Sequence, residues 1–432
     1  YGQNGSGKTT FLHVLANLVG GDIERFCHIQ FKRISVTTFQ GSKIELHQLR
    51  DENVMVRLDL NGDSFLNVTR DGEIPVKKRA ELVHLLGGRP VYLPAFRSVL
   101  EAISRASRYP EESRKKDFEA LVKWDAEDPS TTKISWHPFA AQDRSKNLAY
   151  KTMLCREWFG PFVPVVRCPS LWEVSDELVS ELQEAQFDVA STDRRAFADV
   201  FVHVLEALLR QTVNKETESA EALLSKIDKH LKHSEIGLMG EADIYQNVYA
   251  SIKQMVQGQS RTIDENIAPI LMVYEKALSD RSTAVKQAFS RIRTFETSVN
   301  KFLKGKTLTT EDLLAFSPRT RRQTPPLITL ANGQKTGLSV LSSGERQVLT
   351  LLFSATHMSS TDGIVLIDEP ELSLHVIWQR IILEELTRQA ISRQVVTCTH
   401  APEIGADHRD CMTELLAQAS TKRDHEHTKW VL

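Results

Sequence analysis

GQNGSGKTT, residues 2–10, is the stretch that decides the fold. It fits G-x-x-x-x-G-K-[ST], a loop whose small residues let backbone N–H groups curl round phosphates while the lysine reaches the outer ones. Asn4, Gly5, Ser6, Gly7, Lys8, Thr9 and Thr10 are therefore candidates for holding ATP, and Thr9 is expected to place its hydroxyl on Mg²⁺. Directly behind them FLHVLANLV carries apolar residues at helical spacing, so the loop opens onto a helix whose positive N-terminus faces the nucleotide. A bare glycine-rich turn would need no such helix. The strand that should lead into the loop is missing because the chain begins at Tyr1, so the sequence is expected to start inside a longer protein, without that strand and whatever covers the adenine.

More than three hundred residues later come LSSGERQ (341–347) and GIVLIDEPELSLH (363–375), which make sense beside the first segment only if the two meet in space. IVLI reads as a buried parallel strand, and acidic residues at its end sit where a nucleotide's metal belongs. Asp368 is expected to hold the Mg²⁺ shell, and Glu369 to orient and deprotonate the attacking water. Alone, the pair would read equally well as a solvated acidic turn. A third strand, QVVTCTH (394–400), ends on His400, whose imidazole can bond the terminal phosphate or the water and so report whether ATP is intact.

At these residues the chain resembles the ABC-type ATPases. LSSGE aligns with their signature L-S-G-G-Q, residues 364–369 with their Walker B strand, and His400 with their switch histidine. The resemblance implies an α/β fold: an ABC-type P-loop ATPase core split by a large helical insertion, with an antiparallel β subdomain. It also implies that Ser342, Ser343, Gly344 and Glu345 form a second nucleotide contact at the start of a helix. Ser342 and Gly344 would there bind the terminal phosphate held by Lys8 of the partner subunit. Ser343 and Glu345 depart from the usual signature, and His375 stands where transporters carry an aspartate. That wording looks like the soluble ATPases of the overcoming-lysogenisation-defect and Septu defence group, neighbours of the chromosome-maintenance and recombination-repair ATPases.

The resemblance covers roughly the first and last quarters of the chain, and implies a slow ATPase that acts as a homodimer or a higher homo-oligomer built from dimers. It would sense a trigger and control a separately encoded nuclease, of HNH type as a first guess, in bacterial antiphage defence. The alternative is a repair or chromosome-maintenance ATPase acting on DNA, which should show a strongly basic face. A Toprim-type nuclease cluster has no room in the roughly thirty residues after His400. No glutamine is placed as the family's Q-loop residue: Gln40 sits in a hairpin turn, and VYLPAFRS, residues 91–98, ends a strand with Arg97 instead.

The 432 residues suffice for two or three structural units. A formal charge of −2 with 41% hydrophobic residues describes an ordinary soluble chain, and neither a basic tail, a signal peptide nor a membrane-length apolar run is present. Five cysteines without framework or C-x-x-C spacing are expected to be reduced thiols in a cytoplasm. His425 and His427 of the C-terminal DHEHTK read as a frayed polar tail rather than a metal site.

Residues 1–105 are expected to form the first lobe of the core, 106–317 the helical insertion and 318–432 the second lobe. Alternating segments between about 26 and 74, with turns at Gly41-Ser42 and Asn61-Gly62-Asp63, predict an antiparallel meander. Residues 125–170 predict an irregular packed segment. Helices are predicted near 173–187, 195–213, 217–234 and 240–258, followed by a long one whose apolar seam, from Ile267 to Phe302, is broken at Arg281. At about 1.5 Å per residue that helix spans about 60 Å. A bundle is preferred to a coiled-coil arm, because no earlier segment offers an equally long seam. RTRRQ, 319–323, is the densest basic patch and short enough to be only a charged loop.

Overall fold

The structure is a computed structural model that describes residues 1–2, 5–49, 55–69, 74–97, 99–100, 115–126, 138–210, 220–232, 250, 264–310, 325, 327–357, 363–390, 393–415 and 430–431. The chain divides into two compact units, Tyr1–Val174 with Leu341–Leu432, and Ser175–Val340.

In the first unit, helix α1 (Lys8–Val19) buries Leu12, Leu15 and Leu18 along one face. It packs against two strands of a parallel sheet of order β10-β9-β5, formed by β5 (Val91–Leu93), β9 (Ile364–Asp368) and β10 (Gln394–Cys398). Every residue of β9 is buried, as its unbroken apolar run requires for a central parallel strand. Asp368 stands opposite Cys398 in register, so β9 and β10 end side by side. Helix α8 (Ser343–His357) precedes β9, and α9 (Val376–Gln389) follows it.

The meander is an antiparallel sheet of β1 (Arg33–Thr37), β2 (Lys43–Gln48), β3 (Val56–Leu60) and β4 (Asp63–Val68), with β11 (Trp430–Val431) parallel beside β1. Alternation puts Ile44, Leu46, Val56 and Leu58 on one buried face, where they meet Leu18, Phe26 and Leu82, the last from α2 (Val76–Leu85). The β3–β4 turn has Asn61 at φ 53° and Gly62 at φ 96°, the two left-handed positions that make Asn-Gly a hairpin turn.

Two expectations need correcting. Much of the segment read as irregular is helical: α3 (Lys115–Ala126) is followed by α4 (Pro138–Phe159), which opens on a proline and ends before Gly160 at φ 98°. The helices expected at 173–187 and 195–213 are one, α5 (Leu171–Arg210), because the polar stretch between them holds neither glycine nor proline. Ser170 and Glu173 start it with a reciprocal capping box, Ser170 N–H donating to Glu173 Oε2 at 2.7 Å and Glu173 N–H to Ser170 Oγ at 3.3 Å.

The apolar strip after α4 belongs to the first unit: Asn17 Nδ2 donates to the Phe162 carbonyl at 2.8 Å, and Phe162 joins the meander's core. Arg156 pairs with Asp22 at 3.1 Å. The unit boundaries, 174/175 and 340/341, thus lie further along the chain than the 105/106 and 317/318 read from sequence.

The second unit holds most of α5, with α6 (Ala220–Lys232), α7 (Asp264–Asn300) and a three-stranded antiparallel sheet of β6 (Lys306–Leu308), β7 (Ile328–Leu330) and β8 (Lys335–Thr336). The predicted seam is buried on α7 at Leu271, Tyr274, Leu278, Ile292, Phe295 and Val299, and Leu223 and Ile227 of α6 are buried too. His230 of α6 lies 3.4 Å from Glu275 of α7, so the long helix packs on a neighbour rather than standing free. Asn4, the basic patch 319–323, His425, His427 and, apart from residue 250, the helix expected at 240–258 lie outside the described residues. Among the described residues no helix is long and apolar enough to cross a membrane, and all five cysteines are free.

Candidate functional site

The loop before α1 reverses direction through Gly5 at φ 80° and Gly7 at φ 90°, conformations that a side chain would strain. Gly7 is the N-cap of α1 and supplies no side-chain cap, so the helix start presents bare N–H groups, as an anion site requires. Lys8 is 6% exposed, and its ammonium donates to the Gly2 carbonyl at 2.8 Å and to His400 Nδ1 at 3.2 Å. Thr10 is exposed on the same first turn.

The two distant segments meet here. Thr9 Oγ1 donates to Asp368 Oδ2 at 2.8 Å across 359 residues of sequence. Asp368 is 2% exposed, and its other oxygen, Oδ1, is buried with no hydrogen-bond partner among the described residues. Burial pushes its carboxyl above the usual range against the lowering effect of Thr9, while Glu369 pushes it further up. A buried carboxylate with a spare oxygen beside a threonine hydroxyl fits a small divalent cation, which takes one or two carboxylates and completes its shell from phosphate and water. No larger cluster of metal ligands occurs among the described residues.

Glu369 follows at φ 47°, a left-handed conformation rare for a residue with a side chain. Its N–H donates to the Cys398 carbonyl at 2.8 Å, and its Oε1 lies 3.2 Å from His400 Nε2. A lysine ammonium only donates, so His400 Nδ1 accepts from Lys8 and Nε2 carries the proton toward Glu369. His400 therefore bridges Lys8 and Glu369. Glu371 fixes its main chain, Oε1 accepting from the N–H groups of His400 at 2.7 Å and Ala401 at 3.1 Å.

The LSSGE residues are placed by ordinary helix chemistry. Ser342 and Glu345 form a capping box, Ser342 N–H donating to Glu345 Oε2 at 2.7 Å and Glu345 N–H to Ser342 Oγ at 3.4 Å. A Cβ on Gly344 would come 2.7 Å from the Ser373 carbonyl, so this glycine is needed for close backbone approach. Ser342 and Ser343 face solvent, whereas Glu345 is buried by its cap. His375 caps α9, its Nδ1 accepting from Ile377 N–H at 3.3 Å.

Reading the sequence missed Glu371 and the role of Arg97. Arg97 makes most of its contacts to backbone carbonyls, which carry no residue-type signal, and one to the side chain of Gln347, 250 residues away in sequence.

His13, one turn beyond Thr9, lies with Nε2 2.9 Å from the buried Tyr92 hydroxyl, and burial lowers its pKa from 6.5 to about 4. The folded state therefore stays neutral there while the unfolded chain takes up a proton. Stability is full above 6.5 and falls as pH drops toward 4, at up to roughly 1.4 kcal/mol per pH unit. Melts at pH 7 and pH 5 should show His13→Gln escaping about 2 kcal/mol of the wild-type loss. Equal losses in both proteins would contradict the burial account.

A family model described as "AAA domain, putative AbiEii toxin, Type IV TA system" matches residues 270–407, a stretch holding Asp368, Glu369 and His400. The "Retron Ec83 probable ATPase" of Escherichia coli is 25% identical over 174 residues, 36% of this chain and 32% of that protein. The "Retron Vc95 probable ATPase" of Vibrio cholerae serotype O1 biovar El Tor is 34% identical over 76 residues, 18% of this chain and 15% of that protein. The chain thus matches a third or less of the length of these relatives. Among solved structures, the Smc head domain of Pyrococcus furiosus, with an extended coiled coil and bound to the C-terminal domain of ScpA, aligns over 94% of this chain and 84% of its own, at 12% identity and a TM-score of 0.31. The Smc head domain of Pyrococcus yayanosii aligns over 94% and 87%, at 13% identity and a TM-score of 0.29.

Proposed function

We propose that the chain is an ATP-binding and ATP-hydrolysing core of ABC type that closes as a homodimer, alone or within a larger oligomer, and acts as sensor and scaffold for a separately encoded nuclease in antiphage defence. The observation that carries the ATPase reading is the Thr9–Asp368 bond, with His400 between Lys8 and Glu369. The matched AAA family and the relatives named as probable ATPases support it.

In this reading Lys8 and the start of α1 hold the phosphates, and Thr9 and Asp368 hold Mg²⁺. When bound, Mg²⁺ neutralises charge on the phosphate oxygens. Glu369 orients a water and takes its proton, and His400, through its bonds to Lys8 and Glu369, senses the terminal phosphate.

Support for self-association lies beside the LSSGE segment, where Leu372, Val376 and Ile377 are 38%, 52% and 62% exposed next to the solvent-facing Ser342 and Ser343. A second copy covering this face would bring the exposed serines over its nucleotide. The retron names of the relatives and the Septu-like wording of LSSGE and EPELSLH support the defence setting, with an HNH-type nuclease as the effector.

Ser342→Arg tests closure, since its bulk and charge would fall in that interface. ATP affinity should stay within the wild-type range while ATP-dependent self-association, followed by light scattering, disappears. Undiminished association would remove this face from the interface. The scaffold role is tested by adding the chain to the nuclease encoded beside it: cutting should change with ATP, and cutting indifferent to the chain would refute that role.

A further inference from the structure

We infer that Arg97 is a positioning residue for Glu369, holding the acidic turn in its left-handed conformation and tying it to the helix that begins at LSSGE. The inference rests on the reading of Glu369 as the group that takes the proton from water.

Arg97 is 1% exposed and opens a helical turn four residues after the end of β5. Its guanidinium meets three successive carbonyls: Nη1 donates to Asp368 O at 2.9 Å, and Nη2 to Glu369 O at 3.0 Å and Pro370 O at 3.4 Å. Nη1 also reaches Pro94 O at 3.2 Å, and Nε donates to the Gln347 side-chain oxygen. Carbonyls of an extended strand alternate in direction, so three in a row can face one cation only where the chain turns. The φ of 47° at Glu369 makes that turn. Burial lowers the Arg97 pKa to about 10, and the neighbouring carboxylates of Asp368, Glu371 and Glu369 oppose this shift, so the cation persists at neutral pH.

Gln347 lies on α8, two residues past Glu345 of the capping box, and is itself buried. Arg97 therefore connects the helix behind the exposed LSSGE segment to the peptide groups that aim Glu369. No ammonium can reproduce this, because a lysine offers three donors from one point in place of a planar fork.

The test combines Arg97→Lys and Gln347→Ala with Glu369→Gln. In the otherwise wild-type protein Arg97→Lys should lower kcat by about 10²-fold, as expected for a misplaced catalytic group, with KM and the equilibrium affinity for Mg-ATP unchanged. Gln347→Ala should lower kcat in the same direction by less. In the Glu369→Gln background neither should slow single-turnover hydrolysis further, because there is no longer a base to misplace. The same fold-loss in both backgrounds, or a folded Arg97→Lys protein with wild-type kcat, overturns the inference. If Arg97→Lys does not fold, Gln347→Ala decides by the same criterion. A Glu369→Gln protein with full turnover would instead refute the assignment of the base.

Discussion

Glu369→Gln should bind ATP as wild type does and lose most of its turnover, about 10²- to 10⁴-fold, the range typical of a lost general base. The amide can still accept and donate hydrogen bonds and hold a water, but it cannot take the proton. The exchange is also quiet structurally. The backbone of residue 369 is held by its own N–H on the Cys398 carbonyl and by Arg97 on its carbonyl oxygen, neither of which involves the side chain. The contact to His400 Nε2 at 3.2 Å survives through the amide oxygen. Steady-state phosphate release measured beside an equilibrium ATP titration checks both halves. Release at the wild-type rate would assign the proton transfer to another residue.

Lys8→Ala should lose ATP binding itself, by roughly 10²-fold or more, the scale on which a buried charge-assisted contact is felt when one partner is removed. Lys8 is the one cation in residues 2–10, and it is buried at the start of a helix whose N-terminus has no side-chain cap. The N–H groups of the loop remain in the mutant, so weak residual affinity is expected. Affinity equal to wild type in an equilibrium titration would overturn the assignment of residues 2–9 as the phosphate loop.

The parts of this site legible in the sequence are those whose chemistry demands a residue type. Lys8, Thr9, Asp368, Glu369 and His400 each offer a charge, a hydroxyl or an imidazole at the end of a recognisable strand or loop, and the structure joins Thr9 to Asp368, and Lys8 through His400 to Glu369. The meander was legible for a similar reason, because alternation and the Asn61-Gly62 turn are local rules. Arg97 was not, since its partners are main-chain carbonyls and its link to Gln347 spans 250 residues. Glu371 was hidden likewise, its oxygen being spent on the N–H groups of residues 400 and 401. Ser342 and Glu345 carry two messages at once: S-x-x-E is a capping box in any helix, and that local use is satisfied whether or not a nucleotide meets them. The strip around Phe162 shows no periodicity because it packs as an irregular segment, and only tertiary contact reveals which core it fills.

The central claim is that two segments at opposite ends of the chain build one hydrolytic site that is completed by a second copy. Co-expressed and purified mixed dimers of Lys8→Ala with Ser342→Arg test it most directly. In such a dimer one composite site carries both lesions and the other carries neither, so about half of one dimer's ATPase should return if the LSSGE segment acts in trans. Mixed dimers with no more ATPase than either mutant alone would contradict the account.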